Sequence, residues 1–207
     1  NTPNERSRPG YLKMGWVEVG RLATTARPSG GRGLARMARS RVPADRWSLP
    51  TAAARPAPDV LADERVSRLL AELAPARGLR TRRSREYLAW RYGFDALAYR
   101  VVTLGTDPTE GLAVVRVRRR GTATEAAVCE ILAPGNDRTA ERALTRKIAR
   151  LFDVNYAVRI DATSPLRHGY VRLPRQGPTL TYRPLNDETA LGAPGAWQFQ
   201  LGDIELM

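Results

Sequence analysis

A short segment near the start of the chain carries polar and aromatic residues at regular offsets. Asn4 is followed by Ser7, by Tyr11 and by the pair Gly15-Trp16. A phenol, whose reference pKa is about 10, remains protonated at neutral pH and can donate a proton to a leaving group. An asparagine amide can form hydrogen bonds with a ligand without adding charge. The segment is therefore the first candidate for a catalytic or binding site.

The same segment predicts a short helix followed by a strand. Ser7 is a favourable N-cap residue, and Pro9 falls in the first turn, where a missing N–H costs no helical bond. Gly15 suits the left-handed position that ends a helix. Residues 16–22 then mix apolar with charged side chains, as in a strand that is packed on one side. These elements would place Tyr11 on the helix, one turn before the strand.

This arrangement resembles the last conserved motif of the GNAT superfamily, the acyl-CoA-dependent N-acyltransferases. The family pattern has an asparagine, a small residue, a tyrosine and a closing Gly-Phe; Asn4, Ser7, Tyr11 and Gly15-Trp16 occupy these places, with Trp instead of Phe. The resemblance implies that an amine acceptor attacks the thioester of acetyl-CoA or another acyl-CoA. It further implies that Tyr11 protonates the departing thiolate and that Asn4 and Ser7 contact the cofactor. It implies no metal.

The resemblance also carries an expectation about the missing front of the active domain. In the family this motif closes its domain, whereas only three residues precede Asn4. The glycine-rich turn and helix that would bind the CoA pyrophosphate are thus expected before residue 1. The 207 residues alone are expected to transfer acyl groups weakly or not at all. The alternative is that Tyr11 only packs the helix onto a sheet and that Asn4 is a turn residue.

The composition excludes some classes of protein and some kinds of site. Of 207 residues, 43% are hydrophobic, and the formal net charge is +13. No apolar run has the length of a membrane span. The only cysteine, Cys129, lies in an apolar strand-like run, so it is expected to be buried, and its solitude favours a cytoplasmic, reducing location. A single cysteine and a single histidine, His168, do not suffice for the usual zinc sites.

The basic charge leaves a second function open. A non-catalytic, GNAT-like binding or scaffold domain could present a basic surface to an anionic partner. The densest basic runs are residues 80–85 and 118–120. Aromatic residues do not alternate with these arginines as they do on single-strand stacking platforms, so nucleic-acid binding is disfavoured. The sequence does not indicate the amine acceptor, the acyl chain or the oligomeric state.

The order of predicted elements indicates a second domain. Residues 1–41 are interpreted as the C-terminal remnant of a first GNAT domain, residues 42–60 as a Pro/Ala-rich linker and residues 61–207 as a second GNAT-like domain. Its predicted elements are two helices near 63–75 and 84–93, strands near 99–104, 112–118 and 126–133, a helix at 138–152 and a strand at 156–160. This order predicts an α/β (mixed α+β) fold in which an antiparallel meander leads into a right-handed βαβ crossover.

The second domain lacks the residues that the first motif supplies. At the matching offsets, Pro165 replaces the tyrosine and Val158 replaces the asparagine. The turn before the helix at 138–152 contains one glycine, Gly135, and an acidic Asp137 that would oppose pyrophosphate, although Arg138 and Arg142 partly offset this charge. The second domain is therefore expected to be degenerate.

Three carboxylates remain as candidates in this second domain. Glu130 lies on the strand before the helix at 138–152 and could act as a base, although a charge at the sheet edge is the simpler interpretation. Asp203 and Glu205 could recognise a cationic acceptor. Residues 197–201 alternate aromatic and polar side chains, which predicts a final strand.

Overall fold

A seven-stranded mixed sheet organises the part of the chain that the computed structural model describes, namely residue 2 and residues 4–76, 78–160, 167–174, 176–184 and 191–204. The helices are α1 (Arg8–Lys13), α2 (Gly30–Arg39), α3 (Ala57–Leu61), α4 (Arg65–Ala71), α5 (Arg85–Tyr92), α6 (Arg138–Leu151) and α7 (Leu201–Ile204). The strands are β1 (Val17–Arg21), β2 (Thr24–Pro28), β3 (Arg55–Pro56), β4 (Arg100–Thr103), β5 (Leu112–Arg120), β6 (Ala123–Leu132), β7 (Tyr156–Ile160), β8 (Val171–Arg172) and β9 (Thr179–Tyr182). The mixed α/β class is confirmed.

The order of strands in the large sheet is β3-β4-β5-β6-β7-β2-β8. Strands β4, β5 and β6 form the predicted antiparallel meander, and β6 then crosses through α6 to the parallel strand β7. Residues 112–117 are buried throughout, because this central strand is covered on both faces. The two faces hold the two larger apolar clusters of the core.

Strands β6 and β7 pair only along part of their length. Their parallel register runs from Glu125 opposite Tyr156 to Ala127 opposite Val158. Beyond that point β6 continues to Leu132 without β7, while the end of β7 pairs with β2. A wedge therefore opens between the C-terminal ends of two parallel strands, which is where ligands bind in many α/β sheets.

A bulge in β6 sets the orientation of a residue in this wedge. The register with β5 shifts by one residue between Val128 and Glu130, so Cys129 has no partner on β5. A bulge reverses the alternation of side chains along a strand. Glu130 consequently lies on the face covered by α5. Cys129 is fully buried, as its apolar run predicted.

The N-terminal segment contributes a strand that the sequence analysis did not identify. Strand β2 lies between β7 and β8 and pairs antiparallel with both. Both Thr25 and Ala26 are fully buried, so the strand shows no alternation of polar and apolar residues. Residues 24–28 therefore share a sheet with strands of the predicted second domain.

Strands β1 and β9 form a separate antiparallel pair. They pack, through Val19 and Leu180, into a third apolar cluster with Trp197. The final strand predicted at 197–201 is wrong. Trp197 makes only a single bridge, to Leu79, and the chain then turns into α7. The aromatic alternation reflects stacking of Trp197 on Phe199, whose ring centroids are 5.4 Å apart, rather than strand pairing.

Helix α2 should respond in opposite ways to alanine at two of its glycines. A Gly→Ala change in a helix usually stabilises a protein by roughly 0.5–1 kcal/mol. At Gly31 an added methyl group meets no atom within 4 Å, so Gly31→Ala is expected to raise the free energy of unfolding. At Gly33 the methyl group would lie directly on the carbonyl oxygen of Asn155, which accepts the N–H of Ser29 at 2.8 Å. We expect Gly33→Ala to cost about 1–3 kcal/mol.

Urea unfolding of the two variants tests this difference. Equal stabilisation by both substitutions would contradict the close contact between α2 and the start of β7.

Candidate functional site

The predicted motif residues form a compact turn before α1. The Asn4 side chain accepts hydrogen bonds through Oδ1 from the backbone N–H groups of Arg6 and Ser7, at 3.0 and 2.9 Å. The Ser7 hydroxyl donates to the Asn4 carbonyl oxygen at 3.3 Å. Ser7 occupies the N-cap position, but its side chain makes no capping bond. That part of the prediction is wrong, because Asn4 already satisfies the first N–H groups of the turn.

Tyr11 lies on α1 outside the apolar core. Its ring meets Trp16 edge-on, with centroids 5.1 Å apart, and it is half-buried. Helix α1 has no buried residue, and Gly15 ends it with the expected positive φ of 83°. A salt bridge of 2.6 Å between Arg8 and Glu18 holds the helix to β1. The helix thus presents Tyr11 at the surface in a fixed orientation.

Exposed apolar side chains lie close to Tyr11 in the sequence. Leu12, Met14 and Val17 are exposed to 42%, 54% and 42% of their full areas. Three large apolar side chains so close together in sequence are unusual on a free surface. The neighbourhood of Tyr11 is accordingly both accessible and partly apolar, which suits a site that holds an organic ligand.

A cleft lies elsewhere, in the wedge between β6 and β7. We call it the wedge cleft; it has a volume of about 710 Å³. Its walls include Ile131 of β6, Ile160 of β7, and Phe199 and Gln200 of the C-terminal segment. Ile160 and Phe199 also pack in the cluster that holds β1. Tyr11 is not among the described residues that line this cleft.

Glu130 is buried beside the wedge cleft and is not an edge charge, so the simpler interpretation of this residue is wrong. Its side chain is fully buried, and the Arg83 side chain is only 5% exposed. The Arg83 guanidinium binds both carboxylate oxygens, with Nε–Oε2 at 2.9 Å and Nη2–Oε1 at 3.1 Å. Tyr92 donates its hydroxyl to Oε1 at 2.8 Å. The bulge in β6, which a pattern of apolar residues does not reveal, turns this carboxylate inward.

Asp203 completes the same network. Its Oδ2 accepts from Arg83 Nη2 and from the backbone N–H of Gln200, both at 2.8 Å. Its side chain is 1% exposed, so it is not available to recognise a cationic acceptor. Glu205, the other carboxylate predicted for that role, lies outside the described residues. One guanidinium therefore holds two buried carboxylates.

The two buried glutamates of β6 have opposite electrostatics. Burial raises the pKa of Glu130, and Arg83 opposes this shift only in part because Asp203 shares the same guanidinium. Burial also acts on Glu125, but two guanidinium groups, those of Arg118 and Arg120, leave its pKa below the usual value. A carboxyl with a raised pKa is a candidate general base. Both Glu130 oxygens, however, are already occupied by donors.

The C-terminal segment occupies the open edge of β6. The carboxamide of Gln200 accepts the N–H of Ile131 at 2.6 Å and donates to its carbonyl oxygen at 3.3 Å. Both groups lie beyond the point where β7 leaves β6. The side chain therefore takes the place of a neighbouring strand. An amide-containing ligand could pair with β6 here only by displacing Gln200.

Substituting Gln200→Ala should expose this edge. We expect the amide proton of Ile131 to exchange with solvent at least about fivefold faster, since one hydrogen bond contributes roughly 1 kcal/mol or more when its loss leaves a buried group unpaired. Hydrogen exchange measured by NMR checks this expectation. Gln198→Ala is the control, because the backbone of Gln198, not its side chain, bonds Leu79. Unchanged exchange at Ile131 in Gln200→Ala would contradict the assignment.

The start of α6 does not fit a pyrophosphate group. The Asp137 carboxylate caps the helix by accepting the N–H of Thr139 at 2.8 Å. A negative charge therefore already occupies the position where a helix N-terminus attracts phosphate. Arg138 lines the wedge cleft, but Arg142 does not. Pro165, predicted to replace a tyrosine, lies outside the described residues, whereas Val158 is buried in β7.

Neither a metal cluster nor a membrane helix is found in the described ranges. No three His, Cys, Asp or Glu side chains there are grouped to hold a metal ion. No helix in the same ranges is both long and apolar enough to span a bilayer.

Comparison with known proteins does not identify a family, so a function can be argued only from the chemistry of the site. No protein-family model matches the chain, and no curated protein matches it at a significant level. The residues that sequence reasoning missed are Arg83, Tyr92 and Gln200. Arg83 lies within a basic run and does not differ from its neighbours in sequence. It is distinguished only by its contact with Glu130, which is 47 residues away in the chain.

Proposed function

We propose that this chain belongs to an acyl-CoA-dependent N-acyltransferase of the GNAT type, in which Tyr11 is the catalytic acid. The observation that carries the proposal is the position of Tyr11, which is half-buried on α1, outside the apolar core, at the expected offset from Asn4 and Gly15. Tyr11 is only half-buried, so part of its side chain remains accessible to a ligand. The exposed apolar side chains near Tyr11 supply a surface against which the acyl-CoA arm can lie.

The proposed step is a direct transfer. The lone pair of an amine forms a bond to the thioester carbonyl carbon, and the carbon–sulfur bond then breaks. The departing sulfur takes the phenol proton of Tyr11. The amine nitrogen releases one proton to solvent, and the phenolate then takes up one proton from solvent. The amide product and the free thiol leave. A positioned acid lowers the barrier because the thiolate need not leave as a free anion.

Asn4 has a limited part in this proposal. Its Oδ1 is engaged by two backbone N–H groups, so the –NH2 group is the part of the side chain that can donate to an amide carbonyl of the CoA arm. Ser7 contributes by holding the turn, since its hydroxyl bonds the Asn4 backbone. The two residues thus position Tyr11 and offer one donor.

The wedge cleft is proposed to be a silent counterpart of the active site. Three features oppose cofactor binding there: Gln200 covers the β6 edge, Asp137 caps α6, and Arg83 holds Glu130. The proposed role of residues 61–207 is to support β1 and β2. Strand β1 pairs with β9, and β2 lies between β7 and β8.

The experiment that tests the function uses the natural full-length protein with acetyl-CoA and a set of primary amines. Release of free thiol is followed by a colorimetric reagent, and the acetylated amine is identified by mass spectrometry. Amine-dependent thiol release is expected. If acetyl-CoA neither binds nor is consumed with any amine, the non-catalytic scaffold remains and the proposal fails.

A further inference from the structure

A second pocket lies beside α6, further along the helix from the wedge cleft. We call it the arginine pocket; it is lined by Arg27 of β2, by Arg142 and Arg146 of α6, and by His168 and Gly169, and has a volume of about 340 Å³. None of these residues lines the wedge cleft. The acyl-transfer step uses none of them either. The pocket is thus a separate concentration of positive charge.

A hydrogen bond and the nearby backbone of Gly169 restrict the Arg27 guanidinium. Its Nη1 donates to the carbonyl oxygen of Thr145 at 3.2 Å. Gly169, with a φ of 81°, brings its backbone so near that an added methyl group would stand 3.3 Å from Arg27 Nε. This close approach requires a residue without a side chain. A guanidinium held in this way loses little additional freedom when it binds a ligand.

The other two guanidinium groups come from one face of α6. Arg142 and Arg146 are four residues apart, so their side chains project side by side, and both are exposed. Like charges at this spacing destabilise a helix slightly. A bound anion would offset that repulsion.

The arginines that line the arginine pocket differ in their ion pairing from three other arginines of the protein. Arg83, Arg118 and Arg159 each form an ion pair with a carboxylate. Among the described residues, no carboxylate forms an ion pair with Arg27, Arg142 or Arg146. Glu141 lies 3.9 Å from His168 Nε2, but it binds Arg159 more closely, at 2.7 Å. Three guanidinium groups therefore line a pocket in which none of them is paired with a carboxylate of the described residues.

We propose that the arginine pocket binds a phosphate monoester or free phosphate as a dianion. Guanidinium groups bind phosphate oxygens through paired N–H donors, and several of them together favour two negative charges over one. A volume of about 340 Å³ suits a compact head group and not an extended chain. The site is independent of the proposed acyl transfer, since it shares no residue with Tyr11 or with the wedge cleft.

Calorimetric titration of the full chain with inorganic phosphate and with glycerol 3-phosphate tests the proposal. Ionic strength is held constant with sodium chloride, because simple screening would otherwise imitate binding. Both ligands are expected to bind with one site per chain. Tighter binding of the ester would identify a phosphorylated metabolite as the source, and equal binding would identify free phosphate; both support the phosphate site.

Variants separate this pocket from the general basic charge. Arg142→Gln/Arg146→Gln is expected to weaken binding at least tenfold, and Arg27→Gln, on a different element, should do the same. Arg150→Gln is the matched control, since Arg150 is exposed on α6 but outside the pocket. Circular dichroism checks that each variant folds, and these exposed or half-buried positions make that outcome expected.

Three results would overturn the proposal. One is the absence of phosphate binding, and another is equal loss of binding in Arg150→Gln. The third is tighter binding of a single-stranded oligonucleotide, a phosphodiester, than of either monoester ligand. That last result would indicate a nucleic-acid surface, for which salt dependence would be steep.

Discussion

Arg83→Met should lower the free energy of unfolding by about 3–5 kcal/mol, because it leaves two buried carboxylates without their common counter-ion. Glu130 is fully buried and Asp203 is 1% exposed, so neither can recover hydration when the guanidinium is removed. Methionine keeps much of the length and apolar stem of the side chain, so the loss is one of charge and hydrogen bonds. Urea denaturation at pH 8 measures the change.

Arg82→Met provides the matched control for this substitution. Arg82 is the exposed neighbour in the same basic run, and its replacement should change stability by no more than about 0.5 kcal/mol. Adding Glu130→Gln to Arg83→Met should recover part of the loss, since it removes one stranded charge. An exposed ion pair contributes only about 0–1 kcal/mol. If the free energy of unfolding of Arg83→Met lies within about 1 kcal/mol of the wild-type value, the buried network does not hold the C-terminal segment.

The same variant should show a characteristic pH dependence. Burial already raises the pKa of Glu130, and Arg83→Met removes the main interaction that opposes that shift, leaving only the hydrogen bond from Tyr92. Between the unfolded and the higher folded pKa the folded protein binds more protons than the unfolded chain, so its stability increases as the pH falls. The deficit of Arg83→Met should therefore be largest at pH 8 and smaller at pH 5. A deficit that is independent of pH would point to lost packing as the cause.

Tyr11→Phe should slow acyl transfer by the full-length protein by roughly 10²-fold or more, the usual contribution of a positioned acid. The ring remains against Trp16, so the fold of α1 should be preserved. Because the proton is transferred only as the thiolate leaves, kcat should fall while KM changes little. Steady-state kinetics with acetyl-CoA and the preferred amine measure both constants.

Tyr182→Phe serves as the control for loss of a phenol elsewhere. Tyr182 lies on β9 and packs against Trp197, with ring centroids 5.9 Å apart. It has no part in the proposed reaction, so its kcat should stay within a factor of two of the wild type. Equal losses in the two tyrosine variants would show that the effect is structural.

Local patterns in the sequence predicted most of the large sheet. The meander and the crossover were identified because the apolar runs at β4, β5 and β6 and the helical spacing of α6 are local signals. Strand β2 was missed because it is buried on both faces and short. The final strand was predicted wrongly because aromatic residues two apart also arise when rings stack, as Trp197 and Phe199 do.

The buried network could not be predicted in this way. Glu130 meets Arg83 across 47 positions and Ile131 meets Gln200 across 69, so only the folded chain shows these partners. A single bulge at Cys129 decides which of the two covered faces of the sheet the Glu130 side chain lies on. The turn around Asn4 was foreseen in part: its helix and the glycine stop are present, but Asn4 and not Ser7 supplies the capping oxygen. The acid role of Tyr11 stays a prediction.

The most direct test of Tyr11 compares two thioesters with different leaving groups. An aryl thiol is more acidic than the alkyl thiol of CoA and leaves without help from an acid. If Tyr11 protonates the departing sulfur, Tyr11→Phe should lose roughly 10²-fold or more with acetyl-CoA but less than about tenfold with an aryl thioacetate in single-turnover reactions. An equal loss with both thioesters would contradict the account, because it would mean that Tyr11 does not act on the leaving group.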